Sequence, residues 1–237
     1  MGTARAAPLA PGSSIDNRGK VQYTGLMHIE AIVFDFGGVM AVFHRPELFE
    51  ALEGQLGLEA GSLAEILYRS PEWRLAEVGA IDTEEYWRRI GPRLGLGSGT
   101  EPTEAEIRDF QQALFGEVEA DPDMVDLVQR LRGRYRTGLL SNATLRDPQQ
   151  LLERYGLEGL FDVAVLSAAV GLAKPDPAIY RLALERLGTA PEGTVFVDDF
   201  QRNVVAASEL GMHGVHFTGY GDLVLALEGL GMNPLRG

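Results

Sequence analysis

From about His28 onward, short and nearly unbroken apolar runs alternate with longer stretches in which apolar residues recur every three or four positions. The short runs predict buried strands, and the 3.6-residue period predicts amphipathic helices. The strands expected are Glu30 to Phe34, Tyr135 to Leu140, Phe161 to Leu166, Thr194 to Val197 and Gly214 to Phe217. Between the later strands lie helical patterns over Pro122 to Arg132, Asp147 to Tyr155, Pro175 to Leu187 and Gln201 to Leu210, the last ended by Gly211. Strands without polar alternation, separated by helices, indicate a parallel sheet covered on both faces. The fold class is therefore α/β, with a doubly wound core.

The stretch from Phe43 to Phe115 breaks this rhythm. It holds no strand-like run, only helical patterns over Pro46 to Leu56, Ser62 to Tyr68, Thr83 to Leu94 and Thr103 to Phe115. Ser62 with Glu65, and Thr103 with Glu106, have the spacing of a capping box. Asp82 fits an N-cap for the helix carrying Tyr86 and Trp87. The glycine-rich run from Leu94 to Thr100 lacks the strand-to-helix setting of a phosphate loop and reads as a plain turn. The expected organisation is a core of residues 27–42 and 116–237, interrupted by a helical cap over 43–115. Residues 1–26, rich in Ala, Pro, Gly and Ser, read as a flexible arm and lack the apolar stretch of a signal peptide.

Composition narrows the class. A chain of 237 residues with 45% hydrophobic and 23% charged residues suits a water-soluble globular protein with a sizeable core. A net charge of −13 argues against a non-specific nucleic-acid binder. It leaves room for a small anionic substrate, because a local pocket field can oppose the global charge. There is no cysteine, which excludes disulfides, thiolate metal sites and cysteine nucleophiles, and fits a reducing, cytoplasmic setting. No run approaches the ~18 apolar residues of a membrane span, so no membrane partner is expected.

The candidate chemistry lies where predicted strands end. Asp35 closes the first strand and is followed by Gly37 and Gly38, which permit a tight turn or close approach of the backbone to an anion. A carboxylate there can serve as a nucleophile or cap a turn. Ser141 and Asn142 follow the second strand, where a hydroxyl, an amide and backbone N–H groups can hold phosphoryl oxygens or cap a helix. Lys174 sits in a loop fixed by Pro175 and Pro177, and is one of only two lysines in the chain, with Lys20. Held near Asp35, it would keep that carboxylate ionised; the alternative is an ordinary solvated lysine. Asp198 and Asp199 end a buried strand, where adjacent carboxylates repel and so suggest a cation of the Mg²⁺ type, or else Asp198 caps the following helix with Asp199 in solvent. Asn203, one turn into the following helix, can hydrogen-bond one of these acids.

These residues together resemble the haloacid dehalogenase-like hydrolase superfamily, over about Ile29 to Phe217. The similarity is specific in Val170-Gly171-Leu172-Ala173-Lys174-Pro175-Asp176-Pro177-Ala178-Ile179-Tyr180 and in Phe196-Val197-Asp198-Asp199-Phe200-Gln201-Arg202-Asn203. The resemblance is to members with a helical cap after the first strand, including sugar-phosphate phosphatases and the phosphatase domain joined to soluble epoxide hydrolase. It implies a Rossmann-like core and a Mg²⁺ cofactor. It also implies Asp35 as nucleophile and metal ligand, with the Gly37 carbonyl and Asp199 as further ligands and Asp198 adjacent. Ser141 and Asn142, with Gly37 and Gly38, would hold the phosphoryl group, and Lys174 would stabilise charge. The expected substrate is a small phosphorylated metabolite, and the expected assembly a monomer or homodimer.

One departure stands out. Most phosphatases of this superfamily carry an acid/base aspartate two residues after the nucleophile, and here that position is Gly37. Three readings follow: a phosphatase whose missing acid is replaced or dispensable, a dehalogenase whose halide leaves without a proton, and a phospho-ligand binder with little turnover. The acid pair Asp198-Asp199 favours phosphoryl transfer, which demands neutralisation of oxygen charge. Candidate substrate-selecting residues in the insertion are His44, Arg45, Arg69, Trp73, Arg74, Tyr86, Trp87, Arg88 and Arg89, which could equally form its core and solvated faces.

Overall fold

The computed structural model of the chain describes residues 28–43, 45–97 and 99–233, together with the backbone of two strands ahead of them. Those are β1 (Ser13–Ile15) and β2 (Val21–Tyr23), which pair antiparallel with Ser13 opposite Tyr23. The rest of the arm expected over 1–26 lies outside the described residues, as does His44.

The remaining strands are β3 (Ala31–Phe34), β4 (Arg136–Ser141), β5 (Val163–Leu166), β6 (Thr194–Asp198) and β7 (His213–His216). They form a 5-stranded sheet in the order β5-β4-β3-β6-β7. Every pairing in it is parallel, with Phe34 beside Leu139 on one side and Val197 on the other. Being central and covered on both faces, β3 is fully buried, which is why it reads as an unbroken apolar run. The chain winds outward from β3 through β4 and β5, then returns to place β6 and β7 on the opposite side. The carboxyl end of β3 is thus the switch point, where open α/β sheets bind ligands.

Alternation along β3 divides the core into two layers. Ile32 and Phe34 face a cluster with Met124, Leu127 and Leu131 of a helix over Pro122–Leu131 and Leu223 and Leu227 of a helix over Tyr220–Gly229. Val33 faces the other cluster, with Ile179, Tyr180 and Leu184 of Pro177–Leu187 and Ala207 of Gln201–Glu209.

The insertion carries α1 (Pro46–Leu56), α2 (Ser62–Tyr68), α3 (Pro71–Glu77), α4 (Thr83–Ile90) and α5 (Glu104–Phe115). It encloses a separate cluster that includes Phe49, Leu63, Leu67, Tyr86, Trp87, Ile90 and Leu114. Several sequence expectations shift here. The capping box forms at Thr103 and Glu106, and Asp82 caps α4 through the Glu85 N–H. The box expected at Ser62 does not form. Glu53 of α1 instead accepts from Gly61 N–H (2.9 Å) and Leu63 N–H (2.8 Å), so a side chain distant in sequence caps α2. The pattern over Thr83 to Leu94 divides at Ile90, where Gly91 and Pro92 open a 3₁₀ turn. α3 was not predicted: only seven residues long, it starts at the Ser70 cap and Pro71.

The insertion meets the strand ends through Thr83, whose hydroxyl donates to the Thr144 carbonyl (3.0 Å), and through Arg146, which donates to the Gly79 carbonyl (2.5 Å). Among the described residues, no helix is long and apolar enough to cross a membrane.

Candidate active site

Asp35 continues β3 by one residue, its N–H donating to the Val197 carbonyl at 2.8 Å. Its Oδ1 accepts from the Phe36 N–H at 2.7 Å, which fixes the rotamer. Ser141 is the last residue of β4 and Asp198 the last of β6, so the parallel register delivers the three side chains to one end of the sheet.

Lys174 completes this cluster from the loop before Pro177–Leu187. Its ammonium donates to Asp35 Oδ1 (2.7 Å), Asp198 Oδ2 (2.7 Å) and the Leu140 carbonyl (2.9 Å). Those three bonds use every hydrogen the ammonium has. The side chain is 1% exposed, and Nζ lies 5.6 Å from the centre of the Phe196 ring. Asn142 brackets the same loop: its Oδ1 accepts from Lys174 N–H (2.8 Å), and its Nδ2 donates to the Lys174 carbonyl (2.9 Å). The Asn142 side chain is therefore engaged in holding the lysine in place, and its second Nδ2 hydrogen goes to Glu77 Oε2 at 3.1 Å.

The two adjacent acids differ. Asp198 is saturated: Oδ1 accepts from Phe200 N–H (2.8 Å) and Asn203 Nδ2 (3.0 Å), and Oδ2 from Lys174 and Asn203. Asp199 Oδ1 is buried without any hydrogen-bond partner. Carboxylate oxygens of Asp35, Asp198 and Asp199 lie within 4.8 Å of one another. Gly38, at φ 81°, makes room for this arrangement, because a Cβ there would lie 2.5 Å from Asp199 Cγ. Gly37 is different. Its φ lies outside the left-handed region, and a Cβ would meet only the Phe43 ring, at 3.6 Å. Neither backbone nor packing demands glycine at 37.

Three carboxylates share one ammonium, and the surplus negative charge shows in the titration of the group. Burial pushes Asp35 up to about 7; Lys174 opposes this, and Asp198 and Asp199 add to it. Burial and the Asp198 charge push Asp199 up to about 6. Burial pulls Lys174 down, but Asp35 and Asp198 outweigh it, so its pKa rises. A divalent cation would neutralise the surplus, and the orphaned Asp199 Oδ1 is the oxygen that such an ion would satisfy. The donor set, all hard oxygen, fits Mg²⁺.

Most candidates in the insertion stand away from this cluster. Tyr86 and Trp87 are buried in the insertion's own core. Arg69 pairs with Glu65, and Arg88 and Arg89 with Glu85, on exposed helix faces. Arg45 pairs with Glu117. Trp73 does approach, through an Nε1–H bond to Glu77 Oε2 at 3.1 Å. Glu77 itself escaped the sequence reading, since one glutamate in an acidic helical stretch carries no local mark. Burial raises its pKa, against the hydrogen bond from Trp73, the charge of Arg202, the bond from Asn142 and the charge of Arg74.

The chain is 30% identical over 190 residues to a sesquiterpene phosphatase of Aspergillus oryzae, covering 80% of this chain and 90% of that one. It is also 30% identical over 190 residues to a D-ribitol-5-phosphate phosphatase of Bacteroides thetaiotaomicron, covering 77% and 89%. A haloacid dehalogenase family enzyme of Bacteroides thetaiotaomicron, solved as a magnesium complex, superposes with a TM-score of 0.65 at 24% identity, covering 80% and 93%. Residues 29–211 match the haloacid dehalogenase-like hydrolases. With that span, and with relatives aligned along nearly their whole length, the chain belongs to the haloacid dehalogenase-like hydrolase family.

Proposed function

We propose that this enzyme is a Mg²⁺-dependent phosphatase of small phosphate monoesters, sugar phosphates among them, working through an aspartyl-phosphate on Asp35. The observation that carries the reading is the charge balance: three clustered carboxylates, one fully bonded lysine, and one buried carboxylate oxygen left without a partner. Asp35, Asp199 and the Gly37 carbonyl are the residues we assign to Mg²⁺. Asp198, saturated by Lys174, Asn203 and the Phe200 N–H, positions the lysine against Asp35. When bound, Mg²⁺ would offset charge on the phosphoryl oxygens.

In the first step a carboxylate oxygen of Asp35 bonds to phosphorus as the ester P–O bond breaks. Lys174 holds Asp35 in line and offsets charge as it develops. The Ser141 hydroxyl and the Asn142 backbone N–H would bind phosphoryl oxygens; the Gly38 N–H is instead donated to the Ala41 carbonyl at 2.8 Å, so Gly38 serves through the room it leaves for Asp199. Water then attacks phosphorus, releasing inorganic phosphate and the free Asp35. The helical insertion serves as a cap that covers the strand ends. Support comes from relatives named as phosphatases, one of them acting on a phosphorylated sugar alcohol. Dehalogenation needs no cation, and would leave the buried Asp199 Oδ1 without a partner.

The test is hydrolysis of p-nitrophenyl phosphate by wild type and Asp35→Asn, with Mg²⁺ and with chelator. Turnover that needs both the metal and Asp35 is expected. Turnover of 2-haloacids that persists in chelator, with none of the phosphate ester, would overturn the proposal.

A further inference from the structure

Breaking an alkyl phosphate leaves an alkoxide that needs a proton, and a positioned acid is typically worth ~10²–10⁴-fold. Gly37 has no side chain to give one. The carboxylates of the cluster are committed: Asp198 is saturated, Asp35 is the nucleophile, and Asp199 faces the ion site. Among the described residues, one carboxyl group of the insertion is hydrogen-bonded to a residue of the site, and that is Glu77 on Asn142.

We propose that Glu77 is the general acid and base of this enzyme, delivering from the insertion the proton that position 37 does not supply. This rests on the phosphatase reading above. Both bonds to the Glu77 carboxyl, from Trp73 Nε1 and Asn142 Nδ2, fall on Oε2 at 3.1 Å. Among the described residues Oε1 has no hydrogen-bond partner, so it is the oxygen that carries the proton. Two fixed donors on one oxygen hold the carboxyl plane and leave the other oxygen to the substrate.

The local field supports the assignment. Glu77 is the last residue of α3, where the unpaired carbonyls of the helix end disfavour an anion. The groups facing it are Arg74 on its own helix, Arg202 from the core, Trp73 and Asn142. Burial outweighs both arginines and raises its pKa, which favours the protonated carboxyl.

In the first half-reaction the Oε1 proton passes to the ester oxygen as the P–O bond breaks and the Asp35–phosphorus bond forms. The alcohol leaves and Glu77 becomes a carboxylate. In the second, Glu77 takes a proton from the attacking water as the acyl phosphate opens, which restores both residues and releases inorganic phosphate. Because the acid sits on the insertion and the nucleophile on the sheet, catalysis of poor leaving groups depends on the insertion being seated.

The experiment compares p-nitrophenyl phosphate, whose leaving group needs little protonation, with glycerol 2-phosphate, whose alkoxide needs it. Wild type, Glu77→Gln and the double variant Gly37→Asp/Glu77→Gln are assayed with Mg²⁺ across pH. Glu77→Gln is expected to lose ~10²–10⁴-fold in kcat on the alkyl ester and at least tenfold less on the aryl ester. The fall of alkyl-ester turnover at high pH should vanish with it. The double variant should recover alkyl turnover, since a Cβ at 37 meets only the Phe43 ring, at 3.6 Å. Equal losses on both esters would make Glu77 a structural latch and overturn the proposal, as would no loss on either. Wild-type turnover of the aryl ester alone would overturn it while leaving the phosphatase reading intact. No wild-type turnover of either ester would sink both.

Discussion

Gly37→Ala and Gly38→Ala, substitutions one residue apart in the same loop, are expected to behave as opposites. At Gly38 the backbone sits at φ 81°, a conformation that costs an alanine about 1–2 kcal/mol. The added Cβ would also lie 2.5 Å from Asp199 Cγ, so the carboxylate must swing out of its place beside Asp35 and Asp198. At Gly37 there is no such conformation, and the Cβ makes an ordinary contact with Phe43 at 3.6 Å. For a domain of this size 1 kcal/mol moves Tm by about 2–4 °C, so backbone strain alone should lower the Tm of Gly38→Ala by about 2–8 °C. Gly37→Ala should stay within about 0.5 kcal/mol of wild type, as substitutions away from strained or tightly packed sites usually do. The sharper readout is the metal. A ligand at 100 times its Kd stabilises by about 2.7 kcal/mol, and that increment shrinks by about 1.4 kcal/mol for each tenfold loss of affinity. Thermal melts of both variants with and without saturating Mg²⁺ measure the two effects separately. Gly38→Ala should lose most of the Mg²⁺-induced rise, and Gly37→Ala should keep it. A Gly38→Ala protein with wild-type Tm and wild-type Mg²⁺ response would refute the account of how this loop admits Asp199.

The metal-free site should also be pH-sensitive. Asp35 and Asp199 titrate near 7 and near 6 in the folded protein against an ordinary value of 3.8, so their protonation favours the fold below about pH 4. That contribution is lost progressively as pH rises from about 4 through 6 and 7, so metal-free Tm should decline over that range, and Mg²⁺ should raise Tm more at pH 8 than at pH 5. A Mg²⁺ increment independent of pH would contradict it. In the insertion, Tyr86 donates to the Leu67 carbonyl at 2.6 Å, whereas the buried Tyr68 hydroxyl has no partner. Tyr86→Phe should cost about 0.5–1.5 kcal/mol in urea denaturation, while Tyr68→Phe should be neutral or stabilising. The reverse order would show that the Tyr68 hydroxyl is satisfied in solution.

Much of the site was legible before the fold because its residues sit at ends of apolar runs. Val33-Phe34-Asp35 and Val195-Phe196-Val197-Asp198-Asp199 each announce a buried strand that stops at an acid, and a parallel sheet brings such stops to one edge. Lys174, just ahead of Pro175 and Pro177, belongs to the same cluster. The helices with strong local signals also emerged where expected, as with Thr103 and Glu106 at the start of α5. Where a local signal had a tertiary competitor, it lost. Ser62 and Glu65 have the spacing of a capping box, yet Glu53 from the preceding helix takes the N–H groups they would have served.

Local periodicity and strand-end chemistry, both written in the order of residues, determined the α/β class, the helical insertion and the identity of the clustered acids and lysine. Only the tertiary structure decided how those residues divide their tasks. Asp198 and Asp199 are neighbours of the same type, but one is saturated by a lysine, an asparagine and a backbone N–H while the other keeps a buried oxygen unpaired. Asn142 holds the lysine loop, and Glu77 reaches the site across 65 residues of sequence. Hydrogen-bond saturation and burial depend on neighbours that converge from separate elements, and no spacing along the chain records them.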